Sequence, residues 1–320
     1  MPGAQERVLR RRIKSVQATK KITRAMELIA ASRIMRARAR LEAAIPYSSA
    51  VGNVLSGVMH ESGSTATSGS AVLVCTIVAD RGLCGGYNMS VLRATTHLLE
   101  GLTDLSKQYK VIAVGKKAAS FFKFSGQELA ASFMGFSDKP SYEDAVNIAD
   151  SILGLLDAGE IAEIDLVSTR FKSAGSQVVE VRKILPVDTD SSKASALDSE
   201  SDADSGSSLD PGSALDGSMK HSALERARNG YLELEPEPAE LLPIVIRRYI
   251  ESELFTALLE AATSEHSARQ RAMAAATENA DELIKTLTRA VNRARQDAIT
   301  TEIMEIVGGA EALRQASLED

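Results

Sequence analysis

The sequence predicts an α/β fold: a long antiparallel coiled coil of N- and C-terminal helices with an α/β domain between them. Three observations carry this expectation. Both ends run for dozens of residues with almost no proline or glycine and with apolar residues at helical spacing. The middle alternates short β-branched apolar runs with helical stretches, the pattern of a mainly parallel sheet, Rossmann-like in its order of elements. The aromatics are also confined: of six Tyr and seven Phe, nine lie between Tyr87 and Phe171, and there is no Trp. Large aromatic side chains fill thick cores, whereas Ala-rich segments suit closely packed helices.

The N-terminal stretch 3–45 has no proline and no glycine after Gly3, and it carries twelve Lys/Arg against three Asp/Glu. Ile13, Val16, Ile22, Met26 and Ile29 describe one helical stripe. A helix of about 43 residues would be ~65 Å long, far beyond the ordinary ~11–12 residues. Pro46 is expected to kink it, with helical sequence resuming towards His60. From Ile244 onward there is again no proline, and the only glycines are Gly308 and Gly309. Leu283, Leu287, Ala290 and Ala294, then Ile299, Ile303, Ile306, Ala310 and Leu313, repeat at heptad spacing. Some 70 residues would give a helix of ~105 Å. Two such helices at opposite ends of one chain read as a single antiparallel coiled coil, the alternative being two unrelated helices.

Between them, Ala71–Val78 is a continuous apolar run, the mark of a strand buried on both faces. A Gly-rich turn and a helix over about Asn88–Ser106 follow. Tyr109–Val114 is a second strand, Lys116–Phe124 a helix, Leu129–Phe136 a weaker strand and Tyr142–Leu156 a helix. Ile164–Phe171 and Val178–Leu185 complete the set, as a hairpin across Ser173–Ser176. Residues 187–220 then lose all periodicity, with ten Ser and eight Asp/Glu against two Lys. Such a stretch cannot bury enough apolar area to offset chain entropy and is expected to be disordered. The domain expectation is a coiled-coil helix over 1–62, an α/β domain over 70–186, an acidic Ser-rich linker over 187–230 and a second coiled-coil helix over 231–320.

Several classes of function drop out. No apolar run approaches the ~18–20 residues needed to span a bilayer. The opening residues lack the apolar stretch of a secretory leader, so the chain reads as soluble and cytoplasmic. Two cysteines, Cys75 and Cys84, make no disulfide framework, and four scattered histidines show no metal-ligand spacing. The turn Asp80-Arg81-Gly82-Leu83-Cys84-Gly85-Gly86 lies between a strand and a helix, where nucleotide folds hold phosphate, yet it matches neither phosphate-binding glycine pattern. No catalytic residue, cofactor site or metal site is expected. The basic N-terminal helix leaves open a coiled-coil nucleic-acid-binding or structural protein. Against that stand the absence of interleaved aromatics and an apolar stripe that asks for a protein partner.

Three segments together resemble the gamma subunit family of rotary ATP synthases. They are Arg12-Ile13-Lys14-Ser15-Val16 with Thr19–Ser32, the turn Asp80–Asn88, and a C-terminal block from Ser264 through Asn292–Ala310. Order and spacing fit over nearly the whole chain except the linker. The resemblance implies a central-stalk rotor shaft that couples rotation of a membrane ring to ATP synthesis or hydrolysis in a surrounding hexamer, with the catalytic residues on the hexamer. It implies alpha and beta subunits, an epsilon subunit and the membrane c-ring as partners, with no nucleic acid and no transmembrane segment in this chain. The location implied is peripheral, at the cytoplasmic face of the bacterial cell membrane, with transport of protons or sodium ions as the coupled process. By motif, Arg295, Gln296, Thr300 and Glu302 resemble the contacts of the C-terminal helix with hexamer loops. Met26 and its basic neighbours resemble the facing part of that region, and Glu235 the segment that meets the rotor ring. Leu232 and Leu234 depart from the aromatics often found beside that position. The linker lacks the cysteine pair of the chloroplast insert, so no thiol switch is expected.

Overall fold

A computed structural model of the chain describes residues 2–62, 69–186 and 237–319. The acidic stretch 187–230 and Glu235 lie outside the described residues. In chain order the elements are helix α1 (Pro2–Ser62), strand β1 (Ala71–Ile77), helix α2 (Tyr87–Asp104), β2 (Tyr109–Val114), α3 (Lys116–Phe124), β3 (Ala131–Phe133), α4 (Tyr142–Asp157), β4 (Ile161–Phe171), β5 (Gln177–Leu185) and α5 (Pro238–Glu319). They divide into two compact units. One holds α1 up to Met35, the turn Leu83–Gly85 and α5 from His266; the other holds Arg36–Gly82 and Gly86–Glu265.

The second unit is built on a five-stranded sheet of order β3-β2-β1-β4-β5. β1 pairs in parallel with β2 and β4, β2 in parallel with β3, and β5 closes the edge antiparallel to β4. Because β1 is central and covered on both faces, all seven of its residues are buried, which explains its unbroken apolar run. On one face Val72, Val74, Val111 and Ala113 meet Val91, Leu92 and Leu99 of α2 and Ala118 and Phe122 of α3. On the other, Leu73, Cys75, Ile77, Ile112 and Leu166 meet Ala145, Ile148, Ala149 and Ile152 of α4. Helix α4 starts on a reciprocal cap: Ser141 Oγ accepts the Asp144 N–H, and Asp144 Oδ2 accepts the Ser141 N–H. Burial pushes the Cys75 thiol up to about 12, so it stays protonated and inert.

One expectation about the long helices needs correction. Residues 250–261 of α5 do not belong to a coiled-coil seam alone: Ile250, Leu254, Ala257, Leu258 and Ala261 share the core of the α4 face. The sequence there, Leu254–Ala262, is apolar round most of the helix, and such a helix is buried from several sides. Pro46 lies inside α1, and helix continues beyond it to Ser62, as the sequence towards His60 indicated. It removes one helical N–H, but Leu41 and Ser48 are buried on either side, and Ser48 Oγ donates to Glu253 Oε1 at 2.9 Å. Tertiary packing here overrides a local breaker.

Arg182 of β5 ties the sheet edge to α5, with Nη1 3.0 Å from Glu253 Oε2 and Nη2 3.2 Å from Glu260 Oε2. Burial alone would lower the guanidinium's pKa; the two carboxylates outweigh it and hold it above its ordinary value. Burial raises the Glu260 carboxyl, opposed by Arg182. We take the ionised pair as the state present at neutral pH, because a bonded guanidinium stays charged and its removal would strand a buried carboxylate.

Candidate functional site

The first unit is an antiparallel helix pair. Lys20 Nζ meets Asp281 Oδ1, and the Thr23 and Thr277 hydroxyls lie 2.8 Å apart. Facing residue numbers therefore add to about 301, which sets Pro2 opposite about residue 299 and leaves the last ~20 residues of α5 beyond the first residue of α1. The inward positions of α1 are Ile13, Val16, Lys20, Thr23, Met26, Glu27, Ala30 and Ile34, all buried or half-buried. On α5 they are Met273, Thr277, Ala280, Ile284, Leu287, Val291, Ala294 and Ala298. Both series step by threes and fours, the heptad pattern of a two-helix seam.

The period was readable and the phase was not. Ile22 and Ile29, expected on the stripe, are 57% and 54% exposed and point away from the seam, while Lys20, Thr23 and Ala30 take the inward places. Leu283 is likewise exposed, and its neighbour Ile284 faces inward. Ile299, Ile303, Ile306 and Ala310 keep heptad spacing yet are exposed, along with Met304 and Val307. For Ile303 and the residues after it the physical reason is the register: no described residue of α1 stands opposite them. The end of α5 is thus an amphipathic helix whose apolar residues lack a partner within the described chain.

The residues singled out by motif fall at two levels of this pair. Arg295, Gln296, Thr300 and Glu302 are all exposed, Arg295 and Gln296 following the half-buried seam residue Ala294. Among the described residues Arg295 has no carboxylate partner. Met26 is half-buried and by register stands opposite about residue 275, ~20 residues and ~30 Å along the helix from Arg295. Met26 therefore does not face the C-terminal group. Glu235 lies outside the described residues.

The Gly-rich turn has a structural role that sequence reasoning missed. Asp80 Oδ1 accepts the Lys116 N–H at 2.8 Å, and Oδ2 accepts the N–H groups of Gly135 and Ser137 at 2.9 and 3.1 Å. The Asp80 N–H in turn donates to Ser137 Oγ at 2.9 Å. Lys116 is the first residue of α3, so the chain's own carboxylate occupies the helix N-terminus where phosphate-binding folds place a phosphate. Gly115, just before it, has φ +99°, and a Cβ there would lie 2.1 Å from the Val78 carbonyl oxygen, so only glycine fits. Asn88 closes the turn by accepting the Ala79 N–H at 3.0 Å. The one available cue was an Asp directly after a buried strand, preceding a helix whose Gly115 cap has no side chain. Within the first unit, Cys84 is buried and Gly85 approaches Ala272 at van der Waals distance. Among the described residues no group of His, Cys, Asp and Glu is placed to hold a metal ion, and no helix is long and apolar enough to cross a membrane.

Comparison with known proteins follows the same outline. The family described as ATP synthase matches residues 5–313. The ATP synthase gamma chain of Frankia casuarinae is 42% identical over 324 residues, 97% of this chain and 98% of that one. Two solved structures share the fold. A chain of the Euglena gracilis mitochondrial ATP synthase in rotational state 3 aligns with a TM-score of 0.64 and 18% identity, over 98% of this chain and 96% of that one. A chain of the Tetrahymena thermophila mitochondrial ATP synthase central stalk and c-ring aligns with a TM-score of 0.56 and 24% identity, over 80% and 99%. An α/β domain interrupting an antiparallel helix pair, matched over nearly its full length by gamma chains, places this chain in the ATP synthase gamma-chain family.

Proposed function

We propose that this chain is the rotor shaft of a bacterial ATP synthase, turning inside a hexamer of alpha and beta subunits and carrying no catalytic residue of its own. The single observation that carries this reading is the end of α5: a helix that runs past its partner with Ile303, Met304, Ile306 and Val307 exposed and with Arg295, Gln296, Thr300 and Glu302 pointing outward. Such a surface suits an enclosing protein wall, since unpartnered apolar residues at one helix end mark an interaction site. A shaft shifts the populations of catalytic states only if its contacts differ between them. Forked hydrogen bonds from Arg295 to carboxylates of the wall are contacts of that kind. Met26 would meet the wall at a second level. An epsilon subunit and the c-ring would bind elsewhere on the chain, Glu235 on the ring side, at the cytoplasmic face of the cell membrane.

The Asp80 clamp supports the non-catalytic reading, because the carboxylate and a phosphate would compete for the same N–H groups. The decisive experiment is affinity purification of the full chain from detergent-solubilised membranes. Recovery of ATP-hydrolysing partner subunits, with no heat of Mg-ATP binding by the isolated chain, is the expected result. A micromolar ATP affinity of the isolated chain would contradict it, as would a steeply salt-dependent affinity for duplex DNA without such partners.

A further inference from the structure

The seam of the first unit contains two polar layers side by side, Lys20 with Asp281 and Thr23 with Thr277, next to apolar residues at Ile13, Val16, Ile284 and Leu287. The Lys20 and Asp281 side chains are 37% and 43% exposed, too open to water for their attraction to add much stability. Their value lies in what they exclude. Displacing α5 by one heptad would set Val16 opposite Val291 and Ile13 opposite Ala294, pairings that apolar packing tolerates. The same displacement would set Lys20 opposite Thr288 and Thr23 opposite Ile284, leaving the ammonium without its carboxylate and the Thr23 hydroxyl with only the Lys20 carbonyl of its own helix as a partner. In the other direction, Lys20 would face Ala274 and Thr23 would face Gln270. Of these registers only the observed one sets Lys20 against a carboxylate and Thr23 against a second hydroxyl.

We infer that Lys20, Asp281, Thr23 and Thr277 form a register key, a set of positioning residues that fixes the axial alignment of the two helices. Polar residues at seam positions specify alignment at some cost in stability, and that is the use best attested for them. A two-helix seam with small Ala residues would otherwise be free to slip when twisted.

The test uses engineered cysteines in the full chain, with oxidative cross-links mapped by peptide mass spectrometry. Val16→Cys with Ile284→Cys reports the native register, and Val16→Cys with Val291→Cys reports a slip of one heptad. With the key intact only the first pair should cross-link. In a background of Lys20→Leu, Asp281→Leu, Thr23→Val and Thr277→Val, which keeps the helices paired by adding apolar area, the second pair should cross-link at comparable yield. Restoring the ion pair in reverse, Lys20→Asp with Asp281→Lys, on native threonines should return cross-linking to the first pair alone. The inference is overturned if the keyless background cross-links only in the native register, or if the charge-reversed chain slips as the keyless one does.

Discussion

The two compact units bury their apolar residues to different depths. In the sheet unit Leu73, Ile112, Ile148 and Leu166 are completely enclosed, covered by helices on both faces of the sheet. In the helix pair the inward Met273, Leu287 and Val291 retain 5–8% exposure, and the last inward positions are only half-buried. A sheet with two covered faces surrounds each core residue, whereas a two-helix seam covers a side chain from one side and leaves the flanks open. The sheet unit is therefore built to hold its own shape. The helix pair keeps most of its surface, and residues 299–310 of α5, available to something outside the chain.

That contrast can be broken by mutation, and the largest effect belongs to the sheet unit. Ile148→Ala removes a fully enclosed side chain among α4, the sheet and α5, and should cost ~3–5 kcal/mol in denaturant unfolding. Leu287→Ala, in the open seam, should cost about 2 kcal/mol, the low end for such a change, because the flanks can relax into the gap. Equal losses at the two sites would show that the seam is as enclosed as the sheet core.

Asp80→Ala tests the turn rather than the core. It deprives three backbone N–H groups of their acceptor and should cost about 1–3 kcal/mol. The informative readout is phosphate or Mg-ATP affinity of the variant, which should rise from undetectable if the carboxylate is what fills the helix N-terminus. A smaller effect is expected from pH. Hydrogen bonds from Lys107 and then Lys183 hold the Glu163 carboxyl below its ordinary value, against the opposing effect of burial. A lowered carboxyl pKa means stability present above the unfolded value near 4.5 and lost as pH falls through the folded value. Screened at the surface, this should amount to a few tenths of a kcal/mol, visible as a slightly flatter acid-unfolding profile in Glu163→Gln.

The sheet unit was the more legible of the two in the sequence. Strand and helix periodicities differ there, and each element is bounded by turn residues, so α3 falls at Lys116–Phe124 as expected and the Ser173–Ser176 hairpin is present. The weak strand Leu129–Phe136 shortens to Ala131–Phe133 because β3 pairs only along three residues of β2. In the helix pair the period was plain but the phase was hidden. Large apolar residues occupy both sides of α1, and the inward side includes Lys20 and Thr23, which no apolar count would choose. The outward positions of Arg295 and Gln296 were legible, since one or two steps of ~100° from Ala294 carry a side chain off the seam. Their distance from Met26 was not, because it depends on the register between helices, which only long-range pairs such as Lys20 with Asp281 reveal.

The central claim, that the exposed surface of the helix pair transmits force rather than maintains the fold, is tested most directly by Arg295→Ala with Gln296→Ala. The measurement is ATP synthesis in energised membrane vesicles carrying the assembled complex, set against the melting temperature of the purified chain. Both side chains are exposed, so stability should stay within about 0.5 kcal/mol of the unsubstituted chain. Synthesis should fall several-fold with assembly intact. Normal synthesis at normal stability would contradict the account, and so would a collapse of the melting temperature.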